Sequence, residues 1–186
     1  LGGAVTSSIA RSIGAGDTIR AEKLLWHSLL IASCGAVFFL LAFLLGGESL
    51  LKILGGKGPL LEESLSYCMI FLTGGILIWL SGSLSAALRG MGNMRYPAML
   101  MSISSGMQVI LSGGFILGWF GFPKLGIAGA AVSALASGGF MSLMMFLKLS
   151  NSSSKINLKI SRFSFEKELF KDILDVFLPA SLAPVF

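Results

Sequence analysis

LLWHSLLIASCGAVFFLLAFLL, residues 24–45, contains no Asp, Glu, Lys or Arg. At a rise of 1.5 Å per residue, about 20 residues cross a hydrocarbon core of roughly 30 Å, so this stretch can span a bilayer with some tilt. Lipid offers the backbone no hydrogen-bond partners, and a run this long without strand alternation predicts a helix rather than a barrel strand. Residues 65–88, 98–122 and 125–147 are also long apolar runs and likewise contain no Asp, Glu, Lys or Arg. Residues 1–10 read as the end of an earlier helix and 178–186 as the start of a later one. The expectation is an all-α polytopic membrane bundle, present here as a fragment with four whole helices and two partial ones.

The composition agrees. Apolar residues make 54% of the 186, charged residues 12%, and mean hydropathy is +0.85. A 19.6 kDa globule could not bury that much apolar surface, which excludes an ordinary soluble enzyme, a disordered chain and a secreted disulfide scaffold. Cys34 and Cys68 both fall inside apolar runs and read as packing residues, with no metal or disulfide motif around them.

The net charge of +5 would suit nucleic acid, but the placement of the basic residues argues otherwise. Alternate loops of a helical membrane protein share a side. One side then holds Arg11, Arg20, Lys23, Arg89, Arg95 and every basic residue after 147; the other holds Lys52, Lys57 and Lys124. By the positive-inside rule the rich side is cytoplasmic, which places loops 11–23, 89–97 and 148–177 there. No nucleic-acid partner is needed to explain the charge. Within 148–177, NSSS at 151–154 is a flexible linker. From Ser164 the apolar residues Leu169, Phe170, Ile173, Leu174 and Phe177 recur at helical spacing among charged ones. That pattern describes an amphipathic helix, either on the membrane surface or as a soluble connector.

The loops carry two glycine turns. Gly14-Ala15-Gly16-Asp17 lacks the strand and third glycine of a nucleotide site; it reads as a tight turn in which Asp17 caps the helix beginning near Thr18. Arg89-Gly90-Met91-Gly92-Asn93-Met94-Arg95-Tyr96-Pro97 reads as a second turn, with Pro97 opening the next helix. In the spans, Gly82/Ala86, Ser102/Gly106, Gly114/Gly118 and Gly129/Ser133/Ser137 form small-residue faces suited to close helix packing. One polar stripe stands out: Met101, Ser104, Ser105, Gln108 and Ser112 share a helix face. A glutamine in hydrocarbon must pair or meet water, so Gln108 either bonds a neighbouring helix or lines a substrate path. Ser105, Gln108, Ser112 and Ser133 are the transport-path candidates. His27, one turn from the end of its span, is expected to be interfacial and solvated. No acid, base and nucleophile converge and no metal-ligand cluster is present, so no enzyme activity, metal site or cofactor is expected.

Four loop sequences resemble those of one family. SSIARSIGAGDTIRA (7–21), residues 51–67 with Leu54-Gly55 and Tyr67, LRGMGNMRYP (88–97) and GFPKLGIAGAA (121–131) are similar, in order, to loops of the multidrug and toxic compound extrusion (MATE) family. The motif turns are carried by Gly14, Gly16, Asp17, Arg89, Gly90, Gly92, Arg95 and Pro97. The resemblance implies a monomeric twelve-helix, two-lobe antiporter of the inner (plasma) membrane that exports small organic cations in exchange for Na+ or H+. This chain would then run from about helix 2 to the start of helix 7, with 148–177 linking the lobes. It also implies a departure: where many members carry Asn, Asp and Thr at an amino-lobe cation site, this sequence has Gln108, Ser112 and Ala134. The coupling carboxylates are therefore expected elsewhere in the complete protein. Two alternatives stay open. A lipid or polysaccharide flippase of the wider superfamily would want basic residues inside its cavity, and the four spans contain none. A membrane scaffold or relic fragment would have no transport activity.

Overall fold

The structure is a computed structural model that describes residues 2–151. Within that range the chain forms six helices: α1 (Gly2–Gly14), α2 (Thr18–Ile53), α3 (Pro59–Thr73), α4 (Gly75–Gly90), α5 (Arg95–Leu117) and α6 (Ile127–Ser150). The amphipathic segment from Ser164 and the apolar run 178–186 lie outside the described residues. Among the described residues, helices α2, α5 and α6 are each long and apolar enough to cross a membrane, and α3 with α4 meet the same measure only when taken together as a bent pair.

Helix α4 is the centre of the bundle, packing against α1, α2 and α6, while α5 packs chiefly on α6. The core gathers at one end. Val5 and Ile9 of α1, Leu24 and Leu25 of α2, Leu84 and Leu88 of α4, Leu100 of α5, and Met145 and Leu149 of α6 form one buried cluster. Ile9, Leu88 and Leu149 each lie near the end of a helix, so the turns after α1 and α4 and the end of α6 sit at the same end. Toward the other end α2 turns its apolar side chains outward, with Phe38 66% and Leu45 91% exposed. Such a surface would aggregate in water and is what a lipid-facing wall requires.

The helix boundaries depart from the apolar runs where local chemistry decides. Helix α1 continues through Arg11 to Gly14, and α2 starts at Thr18, so the turn is only 15–17. Asp17 Oδ1 accepts a hydrogen bond from Arg20 N at 2.8 Å, capping α2. Gly16 and Gly92 hold φ of +77° and +83°, the left-handed backbone these two turns require. Helix α2 persists past residue 45 to Ile53, its last turns carrying an exposed Glu48–Lys52 pair at 2.6 Å. The apolar run 65–88 is two helices bent by 46° at Gly74. Glycine is what this position takes, because a Cβ on Gly74 would run into the Leu135 side chain of α6.

The run 98–122 also ends early. Gly118 turns left-handed after α5, Trp119–Gly121 makes one 3-10 turn, and the chain folds back. Leu125 N then donates to Phe115 O at 2.8 Å, and the Phe115 and Phe122 rings meet edge-on at 4.8 Å.

His27 departs from expectation. It is 1% exposed, with ring Nδ1 2.7 Å from Lys23 O. The ring bonds its own helix and is covered by neighbouring helices instead of reaching solvent.

Candidate functional site

A cavity of about 510 Å³ opens between α4, α5 and α6. It exists because small residues face one another there. Ser81, Gly82 and Ser85 on α4, Ser104 and Ser105 on α5, and Ser137 and Gly138 on α6 line it without filling it, and Phe71, Met101 and Met141 add apolar wall. The helical spacing of the α5 stripe puts Met101, Ser104, Ser105 and Gln108 on this lining together.

Of the four path candidates, Ser105 and Gln108 line the cavity and are exposed. Ser112 and Ser133 form a pair instead: their Oγ atoms are 2.7 Å apart, tying α5 to α6. Ser133, wholly buried, also donates to Ala130 O at 2.9 Å. Ala134 lines the same cavity as Gln108.

The motif turns divide into distinct roles. Gly14 ends α1, and Gly16 and Asp17 make the turn and cap described above. Gly90 is a point of close helix approach, since a Cβ there would sit 2.9 Å from Thr6 O and 3.0 Å from Ile9 Cβ of α1. Thr6 Oγ1 donates to Ala86 O at 3.1 Å along the same seam. Asn93 Oδ1 accepts from Tyr96 N at 3.2 Å, Arg95 is exposed at the start of α5, and Pro97 is buried in its first turn. Tyr96 Oη reaches across to donate to Met144 O at 3.1 Å, with Lys148 Nζ 5.5 Å from its ring centre.

Arg89 corrects the expectation that no basic residue faces the cavity. It stands one residue beyond the uncharged run, yet its side chain lines the cavity. Helical side chains lean toward their own N-terminus, which carries this guanidinium up from the last turn of α4 into the bundle. Among the described residues no Asp or Glu joins it on the lining. Ser85 and Ser104 also line the cavity, beyond the four path candidates. Ser104 belongs to the α5 stripe that helical spacing marks, whereas Ser85 shows only as a small polar residue facing a gap, which spacing within a single helix does not reveal.

Comparison with known proteins identifies this arrangement. The MatE family model matches residues 1–113.

The chain belongs to the MatE family.

Its six helices superpose on a solved structure titled an inward-facing conformation of a multidrug resistance MATE family transporter of the MOP superfamily. The TM-score is 0.88 at 31% identity, covering 97% of this chain and 40% of that one. Among curated relatives, the probable multidrug resistance protein NorM of Thermotoga maritima is 31% identical over 133 residues, 71% of this chain and 28% of that protein. A FAD transporter of Shewanella oneidensis is 33% identical over 142 residues, 74% of this chain and 30% of that protein. The chain thus spans less than a third of the length of these relatives. Membership makes it part of a polytopic membrane transporter fold and places it outside the enzymes.

Proposed function

We propose that this MatE chain is amino-lobe material of a secondary transporter that exports small amphiphilic organic compounds, organic cations among them, in exchange for Na+ or H+ by alternating access. The observation that carries the reading is the cavity between α4, α5 and α6, in a bundle whose fold is that of a multidrug resistance transporter. It is apolar on the Phe71, Met101 and Met141 side and hydroxyl-lined on the other, a combination that suits amphiphilic cargo. Ser105 and Gln108 line the path, while the Ser112–Ser133 pair holds its wall together. Coupling carboxylates belong elsewhere in the complete protein, because none lines this cavity among the described residues. No cofactor beyond the coupling ion takes part. The protein works as a monomer in the plasma membrane, with turns 15–17 and 91–94 cytoplasmic and 148–177 linking the lobes.

Arg89 on the lining favours one second reading, a lipid or polysaccharide flippase or exporter. The test is efflux of ethidium from proteoliposomes of the intact protein under an imposed Na+ or pH gradient. Gradient-dependent efflux supports the antiporter. Absence of efflux under either gradient, with flipping of a fluorescent lipid in the same vesicles, would replace it by the second reading.

A further inference from the structure

One end of the cavity is bounded by a side chain that belongs to a different helical piece from its long walls. Helix α4 runs toward the turn at 91–94, so along its lining Ile78 lies farthest from Arg89, and Phe71 lies beyond Ile78, past the break at Gly74. Phe71 therefore walls the end on the side opposite the turns at 15–17 and 91–94. Tyr67, one turn earlier on α3, stacks on it with ring centres 5.8 Å apart and planes 9° from parallel. The two rings travel with α3 as one unit.

The two pieces of this span are held differently. A Cβ on Gly138 would lie 3.0 Å from Ile78 Cγ1, and one on Gly139 would lie 3.3 Å from Leu77 Cδ1, so the first turn of α4 sits hard against α6. The axes bend by 46° at the break, and Leu77 N bonds Gly74 O at 3.0 Å, where α4 begins its own ladder. Helix α3 has glycine joints at both ends. Gly74 and Gly75 form one, and Gly55 and Gly58, with φ of +98° and +54°, lie in the loop that forms the other. A helix between two such joints turns by changing a few backbone angles, which is how hinges absorb motion. We propose that α3 is an outer gate, swinging about Gly74–Gly75 to bring Phe71 on and off the end of the cavity. The proposal rests on the transport reading and goes beyond it: rocking of whole lobes is joined by an opening confined to half a span of one lobe.

The test is a spin-label distance measured inside one lobe, which rocking of the lobes leaves unchanged. The intact protein, its reactive cysteines replaced by serine, carries labels at Glu62→Cys on α3 and Lys124→Cys between α5 and α6. A second sample pairs Leu45→Cys on α2 with Lys124→Cys. Pulsed electron resonance is recorded in nanodiscs with and without ethidium, at low and high Na+ and pH. The Glu62–Lys124 distance is expected to take two values at least about 4 Å apart, since Glu62 lies about 18 Å beyond the break and moves farther than a ring that must clear one contact distance. The Leu45–Lys124 distance is expected to stay single. Gly75→Ala places a Cβ that meets nothing within 4 Å, so it keeps the fold, and it is expected to lower the minor population about five-fold, as the preference of alanine over glycine for helical backbone provides. Phe71→Ala is expected to leave both distances alone and to raise gradient-independent leak of ethidium from proteoliposomes. A single Glu62–Lys124 value under every condition, or an equal change in both pairs, overturns the gate. Leak no greater than in the wild type overturns Phe71 as the side chain that closes it. Gradient-driven efflux with α3 fixed sinks the gate and leaves the transport reading standing. A moving α3 in a protein that drives no efflux under either gradient sinks the transport reading and keeps the hinge.

Discussion

Ser112 and Ser133 illustrate how little a residue type says by itself. The sequence pattern offers both as path residues, and the structure bonds them to each other across the α5–α6 seam at 2.7 Å. Polar pairs between membrane helices contribute modestly, because the separated helices find other partners, so Ser133→Ala is expected to cost about 0.6 kcal/mol and at most roughly 1.7 kcal/mol. Equilibrium unfolding in mixed micelles measures this. A loss well beyond that range would mean the pair does more than join two helices. Arg89 teaches the converse. Hydropathy ends the span just before it, and only its place on a helix, with the side chain leaning back along the axis, puts it into the cavity.

At the scale of elements, the positions of the helices were legible, since four uncharged runs of adequate length are hard to read otherwise. Their ends and breaks were less so. Asp17 declared its cap because the determinant is local: a carboxylate three residues before the amide it accepts from. The close approach at Gly74 did not, because the neighbour it makes room for is Leu135, sixty-one residues away on α6. Gly74→Ala is expected to push Leu135 from its rotamer, and Leu135→Ala to relieve the clash. A double-mutant cycle on unfolding free energy should show a coupling of about 0.5–3 kcal/mol; additive single effects would mean that the Gly74 position and Leu135 do not crowd each other. The α1–α4 seam makes a sterner demand. The atoms a Cβ on Gly90 would meet are backbone and a branched carbon, so Gly90→Ala is expected to cost about 1–3 kcal/mol. The same unfolding measurement checks it, and an effect near zero would mean the two helices slide apart freely.

For the molecule as a whole, charge placement and packing point the same way. The turns at 15–17 and 91–94 share the end where Ile9, Leu88 and Leu149 are buried together, and their flanks carry Arg11, Arg20, Arg89 and Arg95. With Cys34 and Cys68 replaced by Ser, Ala15→Cys and Asn93→Cys are expected to react with an impermeant maleimide only from the cytoplasmic face, and Lys57→Cys only from outside. Labelling of Ala15→Cys and Asn93→Cys from opposite faces would contradict the shared end, and labelling of both from outside would invert the orientation. The cavity itself was only half legible. The α5 stripe announced one wall, but the α4 and α6 walls depend on how three helices are set against each other, which no single periodicity encodes.

The gathering of the core at one end has a mechanical consequence. A bundle clamped at one end and lightly packed at the other behaves as a lever whose fulcrum is the clamp. Helix α2 has 36 residues, which at 1.5 Å per residue gives an arm of about 54 Å, so a tilt of about 10° at the clamped end would sweep its far tip through about 9 Å. Angular changes too small to disturb the buried seam are thereby amplified into displacements as wide as a drug-sized molecule.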